Sequence, residues 1–121
     1  MRRSGNTLIG RVYERVRLEA EQDVEALYGF VDPAIRARRQ ESRDDGAEPL
    51  RSAIRASVNE VRSATVEQVE IVAARKVCAL HGGRPAALVR SIIRYNDSPE
   101  LSESRTIWVR DEGAWYSTAP S

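Results

Sequence analysis

The chain has 121 residues, of which 41% are hydrophobic and 31% charged, and its formal net charge is +1. A chain of this length can bury one core without a metal or a disulfide, and its single cysteine offers no disulfide within the chain. The near balance of charges predicts no nucleic-acid partner. No window approaches the roughly 20 apolar residues that cross a bilayer, so we predict no membrane partner and, by default, a cytoplasmic protein.

Apolar residues near the start of the chain recur every three or four positions. They are Leu8, Val12, Val16, Ala20, Val24, Leu27 and Val31. This spacing predicts an amphipathic helix with one buried face. Asp23 is suited to cap a second short helix that runs to Tyr28, because its carboxylate can accept a hydrogen bond from a free backbone N–H. Asp32 precedes Pro33, a position that disfavours helical backbone, and the run is expected to end there.

The next segment, 36–48, is polar and contains few apolar residues, which predicts a mobile loop. Pro49 suits the first turn of a helix, and Leu50, Ile54 and Val58 follow at helical spacing. The sequence therefore predicts a third helix of about three turns after the loop.

The apolar pattern changes after residue 63, where β-branched residues become frequent. Strands are predicted over 66–80, 84–95, 101–110 and 114–118. The pair Gly82-Gly83 permits the positive φ values of a hairpin turn, and Asp111-Glu112-Gly113 supplies the last turn. Helices followed by a meandering antiparallel sheet predict an α+β fold.

Two segments, LEAEQDVEALYGFVDPAIR (18–36) and WVRDEGAWY (108–116), carry the pattern of one superfamily. They resemble the nuclear transport factor 2-like superfamily, also called cystatin-like or ketosteroid-isomerase-like. Its members typically have a capped helix, a Leu-Tyr pair, a proline-containing exit and a late Trp-Val-Arg-x-x-Gly-x-Trp hairpin. Here these features fall on Asp23, Leu27, Tyr28, Pro33, Trp108, Val109, Arg110, Gly113 and Trp115. In one departure, the hairpin usual between the second and third helices has no strand signal in 37–48.

The resemblance implies N-terminal helices packed in a strongly curved antiparallel sheet that forms a cone with a pocket. The single domain would span 7–118, between an N-terminal arm (1–6) and a tail (119–121). It also implies a homodimer that pairs through the sheet. The aromatic residues expected at a ligand in the cone are Tyr28, Tyr95, Trp108 and Tyr116.

The aromatic residues of the last hairpin give a second reason to expect a dimer. Neighbours on a strand point to opposite faces, so Ile107 and Trp108, like Trp115 and Tyr116, must divide between the two faces. A monomer would leave part of this apolar surface in water, and a second subunit would cover it. Alternatively, the N-terminal arm or long arginine side chains shield the outer rings.

Candidates for chemistry are few. Enzymes that share the resemblance use a carboxylate, histidine or tyrosine inside the cone, and Tyr13 and Asp32 are the closest counterparts here. Tyr13 can equally be core packing, and Asp32 can be a turn residue. His81 is the only histidine and lies at a predicted hairpin tip, so neither a metal site nor a cofactor is predicted.

Several arginines of the predicted sheet fall at alternating positions: Arg90, Arg94, Arg105 and Arg110. They indicate either a solvated sheet face or, if some point inward, a pocket for an anionic ligand. The sequence favours a non-catalytic module that binds a small apolar or anionic molecule or dimerises as an accessory domain. The alternative is a small cofactor-independent isomerase, dehydratase or cyclase with a proton-transfer pair. A docking role for the charged segment 36–45 is a third possibility.

Overall fold

The computed structural model describes residues 7–41 and 48–118, and it has the predicted α+β architecture. In these ranges, four α-helices precede four strands. The helices are α1 (Leu8–Glu21), α2 (Val24–Tyr28), α3 (Pro33–Glu41) and α4 (Glu48–Val58), and the strands are β1 (Ala64–Cys78), β2 (Arg84–Tyr95), β3 (Ser102–Asp111) and β4 (Ala114–Ser117). Within the described ranges, no helix is both long and apolar enough to cross a membrane.

The predicted break between the first two helices is confirmed. Gln22 ends α1 in the left-handed region at φ 56°, and the Asp23 carboxylate caps α2 by accepting a hydrogen bond of 3.1 Å from the Ala26 N–H. The Gln22 side-chain amide donates to the carbonyls of Val58 and Val61, at 3.0 and 2.8 Å. These bonds tie the corner between α1 and α2 to the end of α4.

The loop predicted for 36–48 is wrong at 36–41, where the structure has α3, and at Glu48, which begins α4. Pro33 occupies the first helical position, where its missing N–H costs nothing. The Asp32 carboxylate accepts a hydrogen bond from the Ala34 N–H at 3.1 Å, as a helix cap does. The helix was missed because it carries a weak apolar face, with Ile35 packed against the core. Residues 42–47 of the predicted loop lie outside the described residues.

The helix predicted after Pro49 is confirmed as α4, which buries Leu50, Ile54 and Val58. It packs against α2, so both short helices cover the same part of the core. The core cluster combines the apolar stripes of α1, α2 and α4 with Ala87, Val89 and Trp108 from the sheet.

The predicted meander is confirmed. Strand β2 lies inside the sheet, and its bounds are those predicted. The strand order is β1-β2-β3-β4, all neighbours are antiparallel, and the sheet is not closed. A turn of 3-10 helix over Ala79–His81 precedes Gly82 and Gly83, which have φ values of 68° and 77°. Beyond β4, the backbone of Val31 forms a parallel bridge with Ser117.

The rings of the last hairpin are covered largely within the chain. Trp108 is buried and meets Phe30 edge to face, with ring centroids 6.5 Å apart. Ile107 points the other way and stays partly exposed, which confirms the predicted alternation. Trp115 packs against the core, and the Arg11 guanidinium lies 5.4 Å from the centre of the Tyr116 ring. Arg11 therefore lies over Tyr116, as the shielding alternative expects of a long arginine side chain, while the N-terminal arm named in that alternative lies outside the described residues.

The sheet face away from α1 is polar in its middle. Arg90 binds Glu70 and Glu103, both at 3.1 Å, and Arg94 binds Glu67 at 3.0 Å. The register places Arg105 directly opposite Arg90, and Arg105 also pairs with Glu103. Three of the four arginines considered above thus belong to an ion-paired outer face.

Candidate functional site

A recess of about 190 Å³ lies between one face of α1 and the strands β2 and β3. The α1 residues that line it recur at positions 12, 15, 16 and 19, which is one stripe of a helix. The strand residues alternate, as one face of a sheet requires. The lining consists of Val12, Arg15, Val16, Glu19, Ser91, Ile93, Tyr95, Ser104, Thr106 and Trp108.

The recess has an apolar floor and several polar groups. Val12, Val16, Ile93 and Trp108 are buried. The volume equals that of about six water molecules at 30 Å³ each, below the range of roughly 300–1,000 Å³ typical of drug-sized ligands. A molecule that fits here must be small.

A polar contact between Tyr95 and Glu19 spans the recess from sheet to helix. The Tyr95 hydroxyl donates to Glu19 Oε1 at 3.1 Å. Burial raises the pKa of Tyr95, and the adjacent Glu19 carboxylate raises it further, while the positive charge of Arg15 opposes this shift. The Tyr95 hydroxyl therefore remains a hydrogen-bond donor at neutral pH and cannot act as a base.

Three hydroxyls face the same space from the sheet. Ser104 and Thr106 lie within hydrogen-bond distance of each other, with their oxygens 3.2 Å apart. Ser91 is buried on the neighbouring strand, directly opposite Ser104. Within residues 7–41 and 48–118, the Ser91 hydroxyl forms no hydrogen bond with another protein group, so it is available to a ligand.

Two of the six predicted site residues, Tyr95 and Trp108, line this recess. Tyr28 is instead buried in the core, with the guanidinium of Arg51 4.6 Å from its ring centre. Tyr116, on β4, lies beside Arg11 of α1 and is not among the residues that line the recess.

Tyr13 and Asp32, the suggested proton-transfer pair, lie at two separate sites, and neither of them lines the recess. Tyr13 is 49% exposed and lines an open groove between α1 and β1. Asp32 lies at a separate recess beside Arg84 and His81. His81 is partly buried at the end of the turn between β1 and β2.

Asp32 is 1% exposed and is held by an arginine, not by a tyrosine. Its two carboxylate oxygens accept hydrogen bonds from the two terminal nitrogens of Arg84, at 2.7 and 2.9 Å. Burial opposes ionisation, but the hydrogen bonds from Arg84 and Ala34 outweigh it and lower the pKa of Asp32. Arg84 also binds Asp111 at 3.2 Å, so this cluster joins the start of α3 to two strands.

Sequence reasoning missed the polar half of the recess, which comes from Arg15, Glu19, Ser91, Ser104 and Thr106. A signal existed, since Arg15 and Glu19 lie three residues beyond the stripe positions Val12 and Val16. Charged residues at such places are usually solvated, and only the packing of α1 on the sheet shows that these two border the recess.

Among the described residues, no group of three or more His, Cys, Asp or Glu side chains is placed to hold a metal ion. No protein-family model matches this chain, and neither curated proteins nor solved structures give a match.

Proposed function

We propose that this protein is a non-catalytic binding module whose ligand is a small molecule with an apolar body and an anionic or polar head. The observation that supports this most is the recess between α1 and the sheet, where Tyr95, Glu19, Arg15 and Ser91 surround an apolar floor. Small-molecule sites commonly combine a few polar groups with apolar walls in this way.

Arg15 and Ser91 suit the head of an acid, whereas the Glu19 carboxylate, which accepts a hydrogen bond from Tyr95, would repel an acid brought close to it. A carboxylate would meet the positive charge of Arg15 and could accept a hydrogen bond from the Ser91 hydroxyl. Its apolar body would contact Trp108 and Ile93. We also propose that the chain has the cone of the nuclear transport factor 2-like superfamily. In that case the sheet curves around α1, and the recess is the narrow end of the cone.

Binding is favoured over proton-transfer catalysis because the suggested catalytic pair is engaged elsewhere. Asp32 carries a lowered pKa and a bidentate arginine partner, so it is a poor general base at neutral pH. Tyr13 lines a different part of the molecule. The Tyr95 hydroxyl can donate a hydrogen bond but does not ionise readily.

A native mass spectrum of the protein purified without added ligand tests this function. We expect an adduct of low mass on the wild type, and we expect Ser91→Leu to remove it, because the leucine would fill the recess. Ser102→Leu is the matched control, since Ser102 is exposed at the start of the same sheet face and does not line the recess. Bare protein in all three samples, or an adduct that survives Ser91→Leu, would contradict the proposal.

A further inference from the structure

Strand β1 is a long sheet edge with an unusual amount of exposed apolar surface. It has 15 residues and, within the described ranges, pairs with β2 alone. Ile71, Val72 and Val77 are exposed, and Val77 reaches 72%. Soluble proteins usually shorten or cover such an edge, because its free N–H and C=O groups can pair with another strand.

The charges of β1 are divided between its two halves. Glu67 and Glu70 lie in the first half, whereas Arg75 and Lys76 lie in the second. If a second copy of this strand paired in parallel, acidic residues would face acidic residues and basic residues would face basic residues. An antiparallel copy would face acid with base at both ends, which matches a twofold axis near the middle of the strand.

A β-bulge makes one antiparallel register consistent with the sheet faces. The irregularity between Ile71 and Ala73 shifts the alternation by one residue, so Glu70 and Arg75 lie on the same face, opposite Arg90 and Ala86 of β2. If Glu70 of each chain lies opposite Arg75 of the other, Ile71 faces Ala74 on the other side of the sheet. Both charged pairs and both apolar pairs then meet on matching faces.

The same register brings an exposed side chain to an open groove. Leu80 follows β1 and is 90% exposed. In this register Cys78 of the second copy comes level with Glu67, so the 3-10 turn that carries Leu80 comes close to the end of β1 where a groove of about 1050 Å³ separates β1 from α1. Ile9, Tyr13 and Val66 line this groove and offer apolar contact.

We propose that a second copy of this chain pairs antiparallel with β1, edge to edge, and places Leu80 in the groove between α1 and β1. The overlap of about 12 residues at 3.3 Å each, across a sheet about 10 Å thick, covers on the order of 400 Å² per chain. A stable interface needs about 800 Å² per partner. Contacts of Leu80 and its turn with the groove must therefore supply the rest, which makes Leu80 essential to the dimer.

The outer sheet face is the less suitable dimer surface. Its middle carries the ion pairs of Arg90 and Arg94 with Glu67, Glu70 and Glu103. Covering that face would remove these charges from water at a cost that the contact must repay. Edge pairing leaves them solvated.

The mass of the protein in solution, by light scattering and sedimentation from 1 to 100 µM, tests this dimer. We expect twice the chain mass of 13.6 kDa. Leu80→Glu should weaken association about 30-fold, as a hot-spot residue would. Leu101→Glu is the matched control, because Leu101 is an exposed leucine outside β1, and it should leave the dimer unchanged.

A charge reversal separates this register from other contacts. Arg75→Glu would place four carboxylates on the two equivalent contacts and should weaken association about tenfold at low salt, with a smaller effect in 0.5 M salt. Arg110→Glu makes the same change at an exposed position of β3 and should have no effect. A monomer at 100 µM, growth into open-ended oligomers, or a dimer that tolerates both Leu80→Glu and Arg75→Glu would overturn the proposal.

Discussion

Replacing Asp32 by asparagine tests whether this buried carboxylate has a structural role. The asparagine side chain would keep the bond from the Ala34 N–H but lose the charge that holds Arg84. Breaking a buried ion pair costs about 3–5 kcal/mol. The Arg84 side chain is 21% exposed and keeps Asp111 as a partner, so the lower end applies and we expect a loss of about 3 kcal/mol. This corresponds to a fall in Tm of about 12 °C for a chain of this size.

Urea unfolding at pH 7 and at a series of lower pH values measures this loss and its pH dependence. The pKa of Asp32 is lowered in the folded protein, so the stabilisation is complete above the ordinary carboxyl pKa and disappears as the pH falls through the lowered value. Wild type and Asp32→Asn should therefore converge in acid. Asp111→Asn removes a contact with Arg84 that is more exposed than the contact of Asp32, and it should cost about 1 kcal/mol or less. A loss below 1 kcal/mol for Asp32→Asn at pH 7 would refute the structural role.

Three further substitutions test the core, the corner between α1 and α2, and the recess. Trp108→Ala removes a buried ring from the core and should cost about 4 kcal/mol in urea unfolding, and a cost below 2 kcal/mol would contradict its place in the core. Gln22→Ala removes the hydrogen bonds to the end of α4 and should cost about 1–2 kcal/mol by the same measurement, while an unchanged midpoint would show that the corner is not tied there. Tyr95→Phe leaves Glu19 without its hydroxyl donor and should cost about 1.5 kcal/mol at pH 7, which a neutral substitution would disprove.

Local sequence signals predicted much of the fold. The cap at Asp23, the stripe of α4 and the alternation of Ile107 and Trp108 each follow from one or two neighbouring residues, and the structure confirms them. The helix α3 was missed because its signal is a cap and a first-turn proline at Asp32 and Pro33, whereas the segment that follows has almost no apolar periodicity.

The candidate site was predictable only in part, for a different reason. Tyr95 and Trp108 were expected at a ligand because the family resemblance implies a pocket lined by aromatic residues. Whether Arg15 and Glu19 border the recess depends on how α1 is rotated and shifted against β2 and β3. No local sequence pattern encodes that packing. The same holds for Asp32 and Arg84, which are 52 positions apart in the chain and meet only in the fold.

The most direct measurement of the central claim is an NMR titration of the ¹⁵N-labelled protein with isobutyrate, which has six heavy atoms and an acidic head. Isobutyramide serves as the neutral comparison of the same shape. We expect saturable shifts at the amides of Ser91, Tyr95 and Thr106, with tighter binding of the acid, and we expect these shifts to be lost in Ser91→Leu. Shifts confined to other regions, or none at millimolar isobutyrate, would contradict a ligand site between α1 and the sheet.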